Sequence, residues 1–488
     1  MKFEDGAGII VLRTIFVEQE AVMPKREGEG RSLSWMPGME GWEGPVYQGI
    51  ARRLEEDVQG GKLRPHDKLP PQRELAQALG VNLSTVTRAY KVMEQKGLVY
   101  AVTGRGTFVA PGVGDGLFPG EEGEGLIELG LIRPFYQCNA LVMEAARKVT
   151  ARARTVHLLE YTSPLGTPWQ RQAARKWLEG LGLSVGEEEV LLASGAQNAL
   201  AVALQSLFRP GDKIGTDPYT YANFKGLAHM LGIALCPVEN DARGMRPDAL
   251  DRCCAQEGLK GIYVMPSLSN PMGICMPVSR RQELAQVVCR RELIAIEDDI
   301  YGFLHQPTLP PLAALARERT VHICGTSKSL CAGLRVAFMT APEALRARVI
   351  EGMVNINLKT VALNAEIIYE LIESGLAGQI VERKVELARA RNQVFQQRFP
   401  QAPQLSYPPF FRWIDLPQGM SSQALEILAR QRGINLLGGH RFAISTEEGP
   451  THARLAITSP QDETQLARGL DAVKDILNKG QTQVEYIV

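Results

Sequence analysis

At 488 residues the chain is well past the size at which one core stops growing, which excludes a single small domain and predicts two or three. Its 45% hydrophobic and 22% charged residues are those of an ordinary soluble globular protein, and 54 Lys and Arg balance 54 Asp and Glu, so whole-chain charge singles out no partner. No run approaches the ~20 apolar residues of a membrane span.

Residues 1–43 are Gly-rich and charged without clear periodicity. They are expected either as a loose extension or as the product of an upstream start, with Met23 or Met36 nearer the true beginning. The apolar run Ile9 to Leu12 is broken by Arg13 and preceded by Glu4 and Asp5, the wrong order for a signal peptide. Residues 44–110 carry ten Lys or Arg against six acids, net +4, leaving 44 against 48, net −4, in the rest of the chain. A basic head suits a phosphate backbone, although chance asymmetry on a solvated surface looks similar. Ile50, Leu54 and Val58 share one face of a first helix ending near Gly60 and Gly61. PQRELAQALG predicts a second helix closed by Gly80. Asn82 caps a third, whose Val86, Ala89, Tyr90 and Met93 face the core while Ser84, Arg88, Lys91 and Gln95 face outward, flanked by Thr85 and Thr87. LVYAVTGRGTFVA then predicts two strands around a turn that lifts Arg105 as a wing.

The next 15 residues, PGVGDGLFPGEEGEG (111–125), hold six glycines and two prolines among acids and form the clearest linker. Beyond it, β-type runs alternate with helical stretches: VLLAS (190–194), KIGTD (213–217), ALCPVE (234–239), GIYVMP (261–266), LIAIED (293–298), VHICG (321–325) and RVAFM (335–339). This βαβ grammar predicts an α/β fold with a mostly parallel sheet, helices on both faces and ligands at the carboxyl ends of the strands. The large part runs from about 126 to 384; from 385 to 488, helices mix with short strands such as FFRWIDL and RLAIT, predicting a smaller α+β part. Cys138, Cys236, Cys253, Cys254, Cys275, Cys289, Cys324 and Cys331 form no CxxC pair and have no histidine at metal-ligand spacing, so we expect no metal, and small core thiols in a reducing cytoplasm.

In its first module the chain resembles the GntR-type winged helix-turn-helix domain, through LPPQRELAQALGVNLSTVTRAYKVMEQKGLVY and GRGTFV. The resemblance implies double-stranded DNA as partner, with Arg73, Ser84, Thr85, Thr87, Arg88, Arg105 and Gly106 as the contacts. His66 departs from the family's usual glycine and Leu83 from its frequent basic residue.

In the large domain, candidates for every need of a pyridoxal phosphate site fall at strand ends. Lys328 follows VHICG and could form the imine; Asp298 ends LIAIED and could pair with a ring nitrogen; Tyr301 and Asn270 could reach a ring oxygen. Tyr221 could stack on a ring. Ala196 and Gln197 open a helix whose free N–H groups suit a phosphate, and Arg335 offers a fork to the same anion. Each residue alone reads as readily as a surface, core or turn residue. Together, YTSPLGTP, SGAQNAL, DPYTY, NPMG, IEDDIYGF, GTSKSLCAGLR and RLAIT resemble the fold type I aminotransferases, class I/II. With the head, the whole is similar to the MocR/GabR subfamily of GntR regulators.

That resemblance implies pyridoxal 5'-phosphate on Lys328, Asp298 at the ring nitrogen, Asn270 and Tyr301 at the ring oxygen, and Tyr221 stacked. It places the phosphate on Ala196, Gln197, Ser327 and Arg335, with Tyr161 coming from a second subunit of a homodimer. Arg454 matches the arginine that receives an α-carboxylate. Gly325 stands three places before Lys328 where the family carries a hydroxyl, and Pro408-Pro409 replaces a glycine pair. The expected function is a cytoplasmic transcriptional regulator responding to an amine, an amino acid or the vitamer itself. The alternative is an aminotransferase with an attached DNA-binding domain.

Overall fold

The computed structural model describes residues 33–38, 42, 44–59, 62–63, 67–95, 98–102, 106–109, 125–161, 163–305, 307–445 and 451–484. Arg105, His66 and all of the 111–125 linker except Gly125 lie outside the described residues.

The head consists of helices α1 (Val46–Gln59), α2 (Gln72–Leu79) and α3 (Leu83–Gln95), followed by an antiparallel hairpin of Val99–Val102 with Gly106–Val109. Gly80 ends α2 at φ +66°, a left-handed cap that a residue with a Cβ resists, and its N–H bonds back to the carbonyl of Gln77. Asn82 Oδ1 then accepts from the Ser84 N–H at 3.0 Å and starts α3. Ile50, Leu54, Leu75, Val86, Ala89, Tyr90 and Met93 are all buried in one core, and the Tyr90 hydroxyl donates to the carbonyl of Pro70 at 2.6 Å. Trp35 joins this core from upstream of α1, its indole N–H donating to Asp57 Oδ2 at 2.8 Å. Leu33 packs against the same core, and two anchors in a short Gly-rich, charged stretch leave no periodic signal.

All seven β-type runs of the large domain enter one sheet, in the order Val190–Ala193, Ala337–Thr340, Thr320–Gly325, Ile294–Asp298, Gly261–Val264, Lys213–Thr216 and Ala234–Pro237. Pairings are parallel except those of Ala337–Thr340, which runs antiparallel to both neighbours. Alternate residues feed two cores, as the period of a strand requires. Tyr263, Ile296 and Val321 pack with helix Ala196–Leu207, whereas Ile262, Val264 and Ala295 pack with helices Pro247–Glu257 and Val278–Arg290. Burying Ile262, Val264, Ile296 and Val321 stabilises by about 1.5–3 kcal/mol each.

The smaller C-terminal unit sets strands Arg412–Asp415, His452–Leu455 and Leu437–Gly438 against helices Ser422–Arg430 and Glu463–Val484. Helix Leu376–Arg398 runs unbroken between the two cores, giving Ile380 and Ala388 to the larger and Phe395 to the smaller. The first strand after the linker, Ile127–Glu128, pairs in parallel with Ile434–Asn435, so the chain leaving the linker joins the smaller unit first. Among the described residues, no helix is long and apolar enough to cross a membrane and no cluster of His, Cys, Asp or Glu could hold a metal ion.

Candidate cofactor pocket and DNA-reading face

Three adjacent strand ends build the candidate cofactor site. Strand Ile294–Asp298 delivers Asp298, strand Thr320–Gly325 leads into the short helix carrying Lys328, and strand Gly261–Val264 carries Tyr263. Tyr263, held flat against Phe224 at 3.7 Å between ring centroids, donates its hydroxyl to Asp298 Oδ2 at 2.8 Å. Among the described residues, Asp298 Oδ1 is buried without a partner, as is the hydroxyl of Tyr301 three residues on. Burial, which penalises the charged form, drives the Asp298 carboxyl up to about 7 against the opposing hydrogen bond from Tyr263. A carboxylate left in this state calls for a buried cationic partner. Sequence reasoning assigned GIYVMP only as a strand, and the hydroxyl that orients Asp298 escaped it.

Lys328 is pushed down to about 7, first by burial and then by the neighbouring charges of Arg454, Lys384 and Arg335. Its Nζ donates to the carbonyl of Ile132. Arg454, also buried, donates to Asn270 Oδ1 at 2.7 Å and to the carbonyl of Gly130 at 2.6 Å, and lies over the ring of Phe442. The structure thus brings Lys328, Asn270 and Arg454 together around the segment Gly130–Ile132, which sequence reasoning missed because backbone carbonyls carry no side-chain signature. Lys384 was also missed: it is buried on helix Leu376–Arg398 and donates to the carbonyls of Lys328 and Leu330 at 3.1 and 2.7 Å.

The start of helix Ala196–Leu207 is the candidate anion cradle. Gly195 precedes helix Ala196–Leu207 at φ +87°, so the first N–H groups of the helix, those of Ala196 and Gln197, have no intrahelical acceptor. A Cβ on Gly195 would lie 2.6 Å from Arg335 Nη2. Arg335 itself holds φ +49°, costly for a non-glycine residue, and donates to Ser327 Oγ at 2.9 Å. The Thr326 hydroxyl is spent on the carbonyl of Val336, so Ser327 is the hydroxyl beside Arg335. Gly195→Ala is therefore expected to weaken pyridoxal phosphate binding by about tenfold or more, given ~1–3 kcal/mol of backbone strain together with the displaced guanidinium. Equilibrium dialysis of the variant against wild type checks this, and unchanged affinity would refute the cradle.

Tyr221 precedes helix Ala222–Met230, and burial raises its hydroxyl to about 12. Its segment is tied to the smaller unit, the Thr220 N–H donating to the carbonyl of Phe442 and Lys225 Nζ to that of Ala443. Tyr161 stands 89% exposed beside Leu159 at 79% and Val156 at 64%, and the neighbouring loop adds Val361 at 59%. Pro408 and Pro409 lead into the buried Phe410 and Phe411, and the Pro409 carbonyl accepts from Asn392.

On the head, Arg73, Ser84, Thr87 and Arg88 are exposed on α2 and α3, with Leu83 beside them and Thr85 half-buried. Thr87 donates its hydroxyl to Gln72 Oε1 at 2.8 Å, tying α3 to α2. Gly106 opens the second hairpin strand at φ +117°, where a Cβ would meet Lys68 Cε at 2.9 Å.

A winged-helix head and a fold type I body with these strand-end residues define the class: a DNA-binding module joined to an aminotransferase-like domain. Residues 133–473 match the family "Aminotransferase class I and II" and residues 46–109 match "Bacterial regulatory proteins, gntR family". The chain belongs to the class I and II aminotransferase family and, by its head, to the GntR-type transcriptional regulators of the MocR/GabR kind. It is 32% identical over 459 residues to the uncharacterized HTH-type transcriptional regulator YdeF of Bacillus subtilis, covering 93% of this chain and 99% of that one. It is 27% identical over 308 residues to the vitamin B6 salvage pathway transcriptional repressor PtsJ of Salmonella typhimurium, covering 63% and 70%. The body superposes with a TM-score of 0.67 and 26% identity on LysN, the alpha-aminoadipate aminotransferase of Thermus thermophilus complexed with N-(5'-phosphopyridoxyl)-L-leucine, covering 74% of this chain and 94% of that one. The class I and II fold family is pyridoxal-phosphate-dependent. The residues fit that group on their own geometry: a buried carboxylate oxygen and a buried phenol without partners among the described residues, a lysine pushed down to about 7, and a glycine at φ +87° beside the Arg335 guanidinium.

Proposed function

We propose that this regulator holds pyridoxal 5'-phosphate on Lys328 and changes its hold on operator DNA when an amine-bearing carboxylate, such as an amino acid, enters the pocket. Asp298 would take the ring nitrogen, Asn270 and Tyr301 the ring oxygen, and Tyr221 the ring face. Ala196, Gln197, Ser327 and Arg335 would take the phosphate, and Arg454 the effector's carboxylate. When bound, the group supplies an electrophilic carbon that condenses with primary amines. Lys328, depressed to about 7, is substantially neutral at physiological pH and available for that bond. The protein acts as a cytoplasmic homodimer in this reading. The exposed apolar strip of Val156, Leu159, Tyr161 and Val361 supports the dimer, whose pocket is completed by Tyr161 across the interface.

One observation carries the regulatory reading. Both basic side chains assigned to ligands donate to carbonyls of a single segment, Ile132 for Lys328 and Gly130 for Arg454. That segment is the direct continuation of the linker, and it is locked to the smaller unit by Glu128, which accepts from the N–H groups of Gly130 and Leu131 and from Asn435. A bond at Lys328 Nζ or a carboxylate at Arg454 competes for those donors, which gives the ligand a differential interaction with two arrangements of the segment leading to the head.

The test records the visible absorption spectrum of protein supplied with pyridoxal phosphate, then its affinity for DNA enriched by the protein from a random pool, with and without each amino acid. The expected result is a visible band lost in Lys328→Ala, shifted by the effector together with DNA affinity. Absence of the band sinks the cofactor assignment. A band with DNA affinity indifferent to cofactor and every amine sinks the regulation. Sustained multiple-turnover transamination would instead favour the enzymatic reading, to which a lysine near neutral pKa also lends itself.

A further inference from the structure

We propose that Tyr47, on α1 outside the helix-turn-helix, is a positioning residue for DNA recognition that holds Arg88 of α3 in the orientation used to contact DNA. Arg88 is exposed on α3, and its guanidinium carbon lies 4.2 Å from the centre of the Tyr47 ring. Among the described residues no carboxylate pairs with Arg88, so the ring face is what fixes its head group. Tyr47 is half-buried, and the Gln48 amide donates to its hydroxyl at 3.1 Å.

The geometry has a chemical consequence. A stacked guanidinium uses its face, whereas all five N–H donors lie in its plane and stay available at the edge. An unsupported arginine gives up rotamer freedom when it is immobilised on a base or phosphate. Stacked on Tyr47, Arg88 has already lost much of that freedom, so the planar fork is offered preorganised to a pair of acceptors such as the O6 and N7 of guanine. The contact is also selective in what it needs from residue 47: a ring face, with no part for the hydroxyl. A contact that merely glued α1 to α3 would serve folding and would be indifferent to whether DNA is specific or scrambled.

The experiment uses the full chain and a duplex enriched by the wild-type protein from a random-sequence pool, with a scrambled duplex at the same salt as reference. Tyr47→Ala is expected to weaken binding to the enriched duplex about three- to thirtyfold, the span of a cation–π contact, and to lower the ratio of enriched to scrambled affinity. Tyr47→Phe, which keeps the ring, is expected to stay within about twofold of wild type. In an Arg88→Ala background, Tyr47→Ala is expected to cost nothing further. The proposal is overturned if Tyr47→Phe behaves like Tyr47→Ala, if the loss persists without Arg88, or if enriched and scrambled duplexes lose affinity equally, as a folding defect would make them do. Failure of the wild-type protein to enrich any sequence would overturn it together with DNA recognition by the head.

Discussion

Asp298→Asn is expected to make the cofactor-free protein more stable at pH 8 while costing it about a hundredfold or more in affinity for pyridoxal phosphate. The two effects have one cause. The folded protein raises Asp298 from 3.8 to about 7 by burial, so between these values the unfolded chain has released a proton that the folded chain keeps. Stability therefore falls as pH rises through that window, and above pH 7 the full penalty applies, on the order of 4 kcal/mol. Asparagine has the same shape, still accepts the Tyr263 hydroxyl and carries no charge to desolvate. The cofactor-free variant should accordingly melt higher than wild type at pH 8 and about level with it near pH 4, in parallel thermal scans. Affinity moves the other way, because in the proposed site the protonated ring nitrogen that Asp298 would hold loses its buried counter-ion, a change worth about 3–5 kcal/mol. A variant that melted lower at pH 8, or that bound the cofactor as well as wild type, would remove Asp298 from the role we give it. The broader point is that a site poised for a cation is unstable without it, and the orphaned Oδ1 is the visible mark of that poise.

How much of this was legible in the sequence varies with the kind of signal. The α/β architecture was legible because each central strand is an apolar run ended by a turn, and the seven runs are the seven strands of the sheet. The reversed direction of Ala337–Thr340 was not, since an apolar strand buried on both faces reads the same in either sense. The head was legible through the spacing of Val86, Ala89, Tyr90 and Met93 and the left-handed cap at Gly80. Trp35 was not, since it and Leu33 anchor a segment too short to show a period. Side chains with chemistry at strand ends, such as Lys328, Asp298 and Asn270, announce themselves by residue type. What orients them does not: Tyr263 looks like any strand residue, Lys384 like any helix lysine, and the carbonyls of Gly130 and Ile132 like nothing at all.

Lys384 supplies the second large effect. Its ammonium is buried, held near 8 by desolvation, and stays in place by donating to the carbonyls of Lys328 and Leu330. It therefore acts on Lys328 twice, fixing the turn that aims it and adding a positive charge that depresses its basicity. Lys384→Met fills the same volume without charge or donors. Two carbonyls then lose charge-assisted partners, which predicts a loss of about 2–4 kcal/mol, offset in part by relief of the buried charge. The electrostatic effect has a definite sign. With a like charge removed, the ammonium of Lys328 becomes easier to keep, so its pKa rises and a larger fraction is protonated at pH 7. Pyridoxal phosphate uptake by the cofactor-free wild type is expected to rise as pH climbs from 6 to 8, since in the proposed site the lysine would have to be neutral to react and Asp298 charged to pair, and burial brings both groups to about 7. In Lys384→Met the midpoint of that rise should move to higher pH, and in Lys384→Arg, which keeps the charge, it should stay close to wild type. Stopped-flow absorbance across the pH range reads the midpoint separately from the amplitude, so a variant that is only less stable loses amplitude without moving the curve. A midpoint that did not move in the methionine variant would mean that Lys384 serves the turn alone, and that burial together with Arg454 and Arg335 keeps Lys328 near neutrality.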